Sequence, residues 1–161
     1  MAKTITPKGF SAPLGMYSHG MVADGGELVI VAGQVGVGAG GALVGADVGS
    51  QTRQAFANVR AIVEAAGCTM ADVVRLQTFL VSADDIPGFM KARQEIFPDY
   101  FPTRAYPPNT LLVISGLVRP ELKVEIEAMA VRRASAKRPE RSAPASRSKR
   151  PSSSPRRRGG R

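Results

Sequence analysis

One cysteine and one histidine, Cys68 and His19, are all that the chain has of either type. A single cysteine excludes an intrachain disulfide framework and fits a reducing compartment. A metal centre needs several His, Cys or carboxylate ligands at suitable spacing, and one of each, far apart, argues against it. Any Ser-His-Asp or Cys-His scheme would rest on His19 alone. That residue is expected on a short strand beside Tyr17, where packing or a pocket wall suits it better. No run approaches the ~18 apolar residues of a membrane span, and Met1-Ala2-Lys3-Thr4 opens no long apolar leader core. The expectation is a cytoplasmic protein with no membrane partner.

Net charge is also small over most of the chain, although the formal total is +9. Residues 132–161 hold 12 of the 22 Lys/Arg and one acid, Glu140, a local charge of +11 that leaves −2 for the rest. The basic isoelectric point therefore belongs to the tail and is no sign that the fold binds nucleic acid. The tail is Arg, Lys, Ser, Pro, Ala and Gly without a large apolar residue, so it cannot offset its own ordering entropy. We expect one domain over 1–131 and a disordered basic tail over 132–161. The tail could hold nucleic acid or another polyanion electrostatically, or be a solvated extension without a specific partner. It contains no Phe, Tyr or Trp on which bases could stack.

The 43% apolar content is enough for a real core in a chain of 161 residues. Its most informative stretch is Lys123-Val124-Glu125-Ile126-Glu127-Ala128-Met129-Ala130. Side chains alternate across a strand, so Val124, Ile126, Ala128 and Ala130 share one face and Lys123, Glu125, Glu127 and Met129 the other. A sheet with one apolar face and one carboxylate-bearing face is covered on one side only. The second face must meet water, a ligand or another subunit.

Upstream, 17–22 and 28–32 read as strands around the turn Asp24-Gly25-Gly26. The run Gly36-Val37-Gly38-Ala39-Gly40-Gly41 resembles a phosphate cradle only superficially. Strand-like sequence at 42–44 follows it in place of a helix start, and the Lys-Ser/Thr pair is missing, so a hairpin loop fits better. From Asp47 the period turns helical, with Thr52, Phe56, Val59, Ile62, Val63 and Ala66 on one face and Gly67 as the stop. A strand over 73–81 precedes a second helix capped by Asp84-Asp85, with Pro87 in its first turn and Ile86, Phe89, Met90, Ile96 and Phe97 as its apolar side. Strands over 110–114 and 122–131 close the domain. Two helices on one face of a mixed sheet make a two-layer α+β domain, and the bare face suggests homo-oligomerisation.

Five segments, in order, resemble the Rid (YjgF-like) family: Gly15-Met16-Tyr17-Ser18-His19-Gly20, Ala32-Gly33-Gln34, 51–59 (QTRQAFANV), Ala65-Ala66-Gly67 and Val124-Glu125-Ile126-Glu127-Ala128. The resemblance covers about residues 3–133. It implies a chorismate-mutase-like fold, a homotrimer, and clefts between subunits in which imine or enamine intermediates such as 2-aminoacrylate are hydrolysed to a keto acid and ammonia. It implies no metal and no organic cofactor. Carried over by position, Glu125 would activate water, Tyr17 would form a pocket wall and Gly33 would bring its backbone to the pocket.

The arginine that anchors the substrate carboxylate has two candidate placements. Phe101-Pro102-Thr103-Arg104 matches the family's Pro-Ala-Arg motif and puts the anchor at Arg104, at the cost of an insertion before Glu125. Matching from the C-terminal end instead aligns Pro107-Pro108-Asn109-Thr110 and puts Asn109 there. Proline cannot donate to a ladder, so the strand should start after Pro108, which favours the second register. Ala32 stands where deaminating members have serine, Met90 where an asparagine is expected, and Tyr106 or Leu111 where a cysteine or small polar residue is common. The expected function is imine/enamine deamination, with Glu125 and Arg104 catalytic and with Tyr17, Ala32, Gly33, Met90, Tyr106, Asn109 and Thr110 binding the substrate. A non-catalytic ligand-binding or regulatory trimer and an RNA-binding or RNA-cleaving protein are the alternatives.

Overall fold

The computed structural model describes residues 2–133. Its strands are β1 (Lys3–Ile5), β2 (Gly20–Val22), β3 (Glu27–Val35), β4 (Val73–Leu80), β5 (Asn109–Val113) and β6 (Val124–Arg132), and its helices are α1 (Val48–Ala65) and α2 (Ile86–Tyr100). Four strands form one sheet in the order β3-β6-β4-β5, with β4 and β5 parallel and the other pairs antiparallel. This is the mixed sheet with two helices that the hydrophobic pattern called for. The expected tail lies outside the described residues beyond 133, and β6 itself runs on to Arg132.

Helix α1 starts where the apolar period starts. Asp47 is its N-cap, accepting from the Ser50 backbone N–H at 2.8 Å. Hydrogen bonds from Ser50 hold the Asp47 carboxyl below the ordinary carboxylate value. The helix stops at Gly67, whose φ of +80° is the left-handed conformation that glycine adopts without a Cβ penalty. Between these ends Ala55, Phe56, Val59 and Val63 are buried against Val124, Ile126, Ala128 and Ala130 of β6. Ile62, read from the pattern as core, is 37% exposed, because the core takes a stripe narrower than the apolar face.

Three local expectations are corrected. The strand expected at 17–22 is only Gly20–Val22 and pairs with β1, unforeseen in the sequence, in a separate two-stranded sheet. Three-residue strands carry too few alternating positions to be seen as a pattern. The segment at 42–44 is no strand: Val37 and Leu43 make a single antiparallel bridge, which still gives a hairpin-like loop rather than a phosphate cradle. Helix α2 is entered through a short 3-10 turn over Ala83–Asp85 that Ser82 caps by accepting from Asp84 N, and Asp85 makes no capping bond.

A buried amide ties the first helix to the loop before β6. Gln51 is fully buried. Its Nε2 donates to Gly45 O and to Glu121 O, both at 3.0 Å, and its Oε1 accepts from Lys123 N at 2.8 Å. Gly36 lies so close that an added Cβ would fall 2.5 Å from the Gln51 Cβ, so only glycine fits there. Leucine at position 51 keeps the bulk and strands these buried polar groups, so Gln51→Leu is expected to cost about 2–4 kcal/mol. Urea unfolding should show the midpoint falling with an unchanged slope.

Candidate functional site

The face of β6 away from the helices carries Glu125, Glu127 and Met129, all half-buried, and the neighbouring strands decide what surrounds them. Glu125 pairs with Phe79, Glu127 with Gln77 and Met129 with Arg75 on β4. On the other side Met129 faces Ile30 of β3. Beside β4, Thr110 faces Gln77 and Leu112 faces Phe79 on β5. Leu28, Ile30 and Leu112 are 58, 67 and 39% exposed, so this face is apolar as well as acidic and no helix lies over it.

β3 is irregular where it passes the glutamates. Val31 pairs with Ala128 and Gln34 with Ile126, so Ala32 and Gly33 together oppose Glu127: a β-bulge, a feature that often re-aims side chains beside active sites. The Glu125 carboxylate lies across the bulge. A Cβ added to Gly33 would fall 1.7 Å from Glu125 Oε1, so the carboxylate rests directly on the Gly33 backbone. A depression of about 110 Å³ lies next to it, lined by Ile30, Ala32, Arg75, Gln77, Glu127 and Met129 among others. Pockets that enclose small molecules usually hold about 300 Å³ or more. The depression is smaller than that. Arg75 donates to Gln77 Oε1, and no group of three or more His, Cys, Asp or Glu among the described residues could hold a metal ion.

The remaining expected residues are not all on this face. Thr110 is, by register and by its exposure. Asn109 pairs with buried Leu76, and its Oδ1 accepts from the Thr78 hydroxyl at 3.1 Å, which engages its side chain on the helix side. Arg104 is exposed in the loop before β5 at φ +58°, and its guanidinium makes no hydrogen bond or ion pair among the described residues. Tyr17 and His19 lie in the loop before β2, their rings edge-on with centroids 6.2 Å apart and His19 Nε2 2.8 Å from Ser11 O. His19 therefore sits in a loop and not on a strand.

Met90 and Tyr106 converge on a residue the sequence reading passed over, Arg93. This guanidinium is 3% exposed; its Nη2 donates to Met16 O at 2.5 Å and its Nη1 lies 3.7 Å from Met90 Sδ. It sits 4.4 Å from the centre of the Phe97 ring, which stacks on Tyr106. Burial pulls its pKa down to about 10, partly opposed by Tyr106, so it stays charged at neutral pH. A signal was available: Phe89, Arg93 and Phe97 are spaced i, i+4, i+8, which puts a cation on the buried stripe of α2.

Known proteins resemble this chain in sequence and fold. A family profile described as Endoribonuclease L-PSP matches residues 9–132. The 2-iminobutanoate/2-iminopropanoate deaminase of Escherichia coli strain K12 is 35% identical over 133 residues, covering 83% of this chain and 100% of that protein. A Rid-family protein of unknown function from Yersinia pestis superposes with a TM-score of 0.71 at 34% identity, over 81% of this chain and 98% of that one. E. coli TdcF, solved with bound serine, gives a TM-score of 0.61 at 30% identity over 81% and 98%. With the profile matched over residues 9–132, a relative 35% identical over its whole length and a superposition at TM-score 0.71, the chain belongs to the Rid (YjgF, L-PSP) family.

Proposed function

We propose that this chain hydrolyses small reactive imines and their enamine tautomers to carbonyl compounds and ammonia, in clefts formed between three copies. The observation that carries the reading is the Glu125 carboxylate resting on Gly33, at a bulge on a sheet face no helix covers. The names of the relatives support the substrate class, and the serine in E. coli TdcF supports a small ligand bearing a carboxylate.

The chemistry follows from the groups. The imine carbon is electrophilic, and Glu125 takes a proton from a water that adds to it. Returned to nitrogen, that proton completes the carbinolamine; passage of the hydroxyl proton to nitrogen then breaks the C–N bond, releasing ammonia and leaving the carbonyl. Tyr17, Ala32, Gly33, Met90, Tyr106 and Thr110 form the walls. Glu125 and the cluster around Met90 and Tyr106 lie on opposite faces of one sheet, so a second copy is needed to bring such residues together. Three copies also bury Leu28 and Ile30, which are otherwise bare apolar surface.

Ammonia release from enzymatically generated 2-aminoacrylate tests the reaction. Glu125→Gln is expected to lower turnover by about 10²–10⁴-fold; no acceleration by the unaltered protein with any imine defeats the reading. Sedimentation tests the assembly, and a stable monomer would leave the cleft unbuilt. Ala32 and Met90, apolar where polar groups are expected, favour one second reading, a ligand-binding trimer without turnover. Keto acids would then raise the melting temperature without any ammonia release. The basic segment beyond 133 adds a proposed polyanion contact, which truncation after residue 133 should abolish.

A further inference from the structure

Arg93 is the sole charged side chain buried among the described residues, and no acid there neutralises it. A guanidinium has five N–H donors in a planar fork. Two of its nitrogens reach acceptors, the Met16 carbonyl and the weakly accepting Met90 sulfur, while its buried Nε has no partner. The faces of Phe97 and Phe89, at 4.4 and 5.5 Å, offset part of the charge and cannot satisfy the N–H groups. Buried charges in proteins are ordinarily paired. The arrangement is that of a site awaiting an anion.

The cover over it is thin. Met90, whose sulfur lies 3.7 Å from Nη1, is 39% exposed, so a flexible thioether stands between that nitrogen and solvent, and the carbonyl bound to Nη2 belongs to half-buried Met16 in the loop before β2. Thr110 and Asn109, at the start of β5, provide no cation, and Arg104 is an exposed loop residue.

We infer that Arg93 is the anchor for the carboxylate of a small 2-imino or 2-keto acid, which enters by displacing Met90 and takes up the open N–H groups of the fork. The inference rests on the imine-hydrolase reading for the class of ligand. It places the carboxylate on the helix side of one copy, next to Met90 and Tyr106, with Glu125 supplied by a neighbouring copy. A planar carboxylate matches the fork in a way a halide or a neutral carbonyl does not.

Pyruvate, a stable keto acid, is the probe, and its binding is read by calorimetry without reference to turnover. The unaltered protein should bind pyruvate about 30-fold more tightly than methyl pyruvate, as expected for hydrogen bonds to a charged group. Arg93→Gln should lose that preference, Arg93→Lys should recover only part of it, and Arg104→Ala should keep all of it. The ¹⁵N-resolved Nε–H signal of Arg93 in the unaltered protein should shift on pyruvate addition, a readout that needs no variant to fold. No binding, no shift, equal affinity for the ester, or loss of the preference in Arg104→Ala overturns the proposal. Pyruvate binding at Arg93 without ammonia release from any imine would instead sink the hydrolase reading and leave the anchor standing.

Discussion

Gly33→Ala is expected to abolish imine hydrolysis about as completely as removing the Glu125 carboxylate, by about 10²–10⁴-fold, while leaving the protein folded. The backbone at Gly33 does not have the positive φ that would strain an alanine, so the whole effect is one of space. The new methyl group would lie 1.7 Å from Oε1, 2.5 Å from Cδ and 2.8 Å from Cγ of Glu125. Those atoms are the far end of a flexible side chain, which can swing away at little cost. The fold survives and the carboxylate leaves its station. Because both substitutions act on the same group, the Gly33→Ala, Glu125→Gln double variant should be no worse than the poorer single one. Steady-state ammonia release and thermal melts on the four proteins check this. A Gly33→Ala protein with full activity would mean that the position of Glu125 does not matter.

Phe97→Ala is expected to be the most destabilising single truncation, by about 3–5 kcal/mol. The ring is fully buried and meets Phe56 edge-on at 5.2 Å, Phe101 at 5.0 Å and Tyr106 stacked at 5.9 Å. It is also the nearest aromatic face to the Arg93 cation, at 4.4 Å. Alanine opens a cavity and removes that face, so the buried charge loses part of its compensation together with the lost packing. A domain of this size has a stability of about 5–15 kcal/mol, and the melting temperature should fall by roughly 10–20 °C. Phe97→Leu, which keeps most of the volume, should cost about 1–1.5 kcal/mol. A Phe97→Ala loss below that of Phe97→Leu would show that the aromatic cluster does not organise this end of α2.

Much of the fold was legible because its long elements carry their own periods. The alternation from Val124 to Ala130 gave both the buried and the uncovered face of β6, and the spacing of Phe56, Val59 and Val63 gave α1 with its Asp47 start and Gly67 stop. Short pieces were not legible: β1 and β2 are three residues each and hold together only through each other. The candidate site was legible in part. Glu125, Gly33 and Ala32 could be named, and they meet at the bulge. The prolines fixed that β5 starts after Pro108, at Asn109, but the bond of Asn109 to Thr78 depends on the parallel register of β4 and β5, which spacing does not carry.

Local pattern thus determined the identity of the elements, the face that stays bare and the family motifs, because periods of 2 and 3.6 residues and glycine stops act over a few neighbours in the chain. Only the tertiary structure decided that Glu125 lies on Gly33, more than ninety positions upstream, and that Arg93 ends buried without a counter-ion beside Met90 and the Met16 carbonyl. Both depend on which strands pair and which helix face is packed inward, and a side chain's charge or type does not encode either.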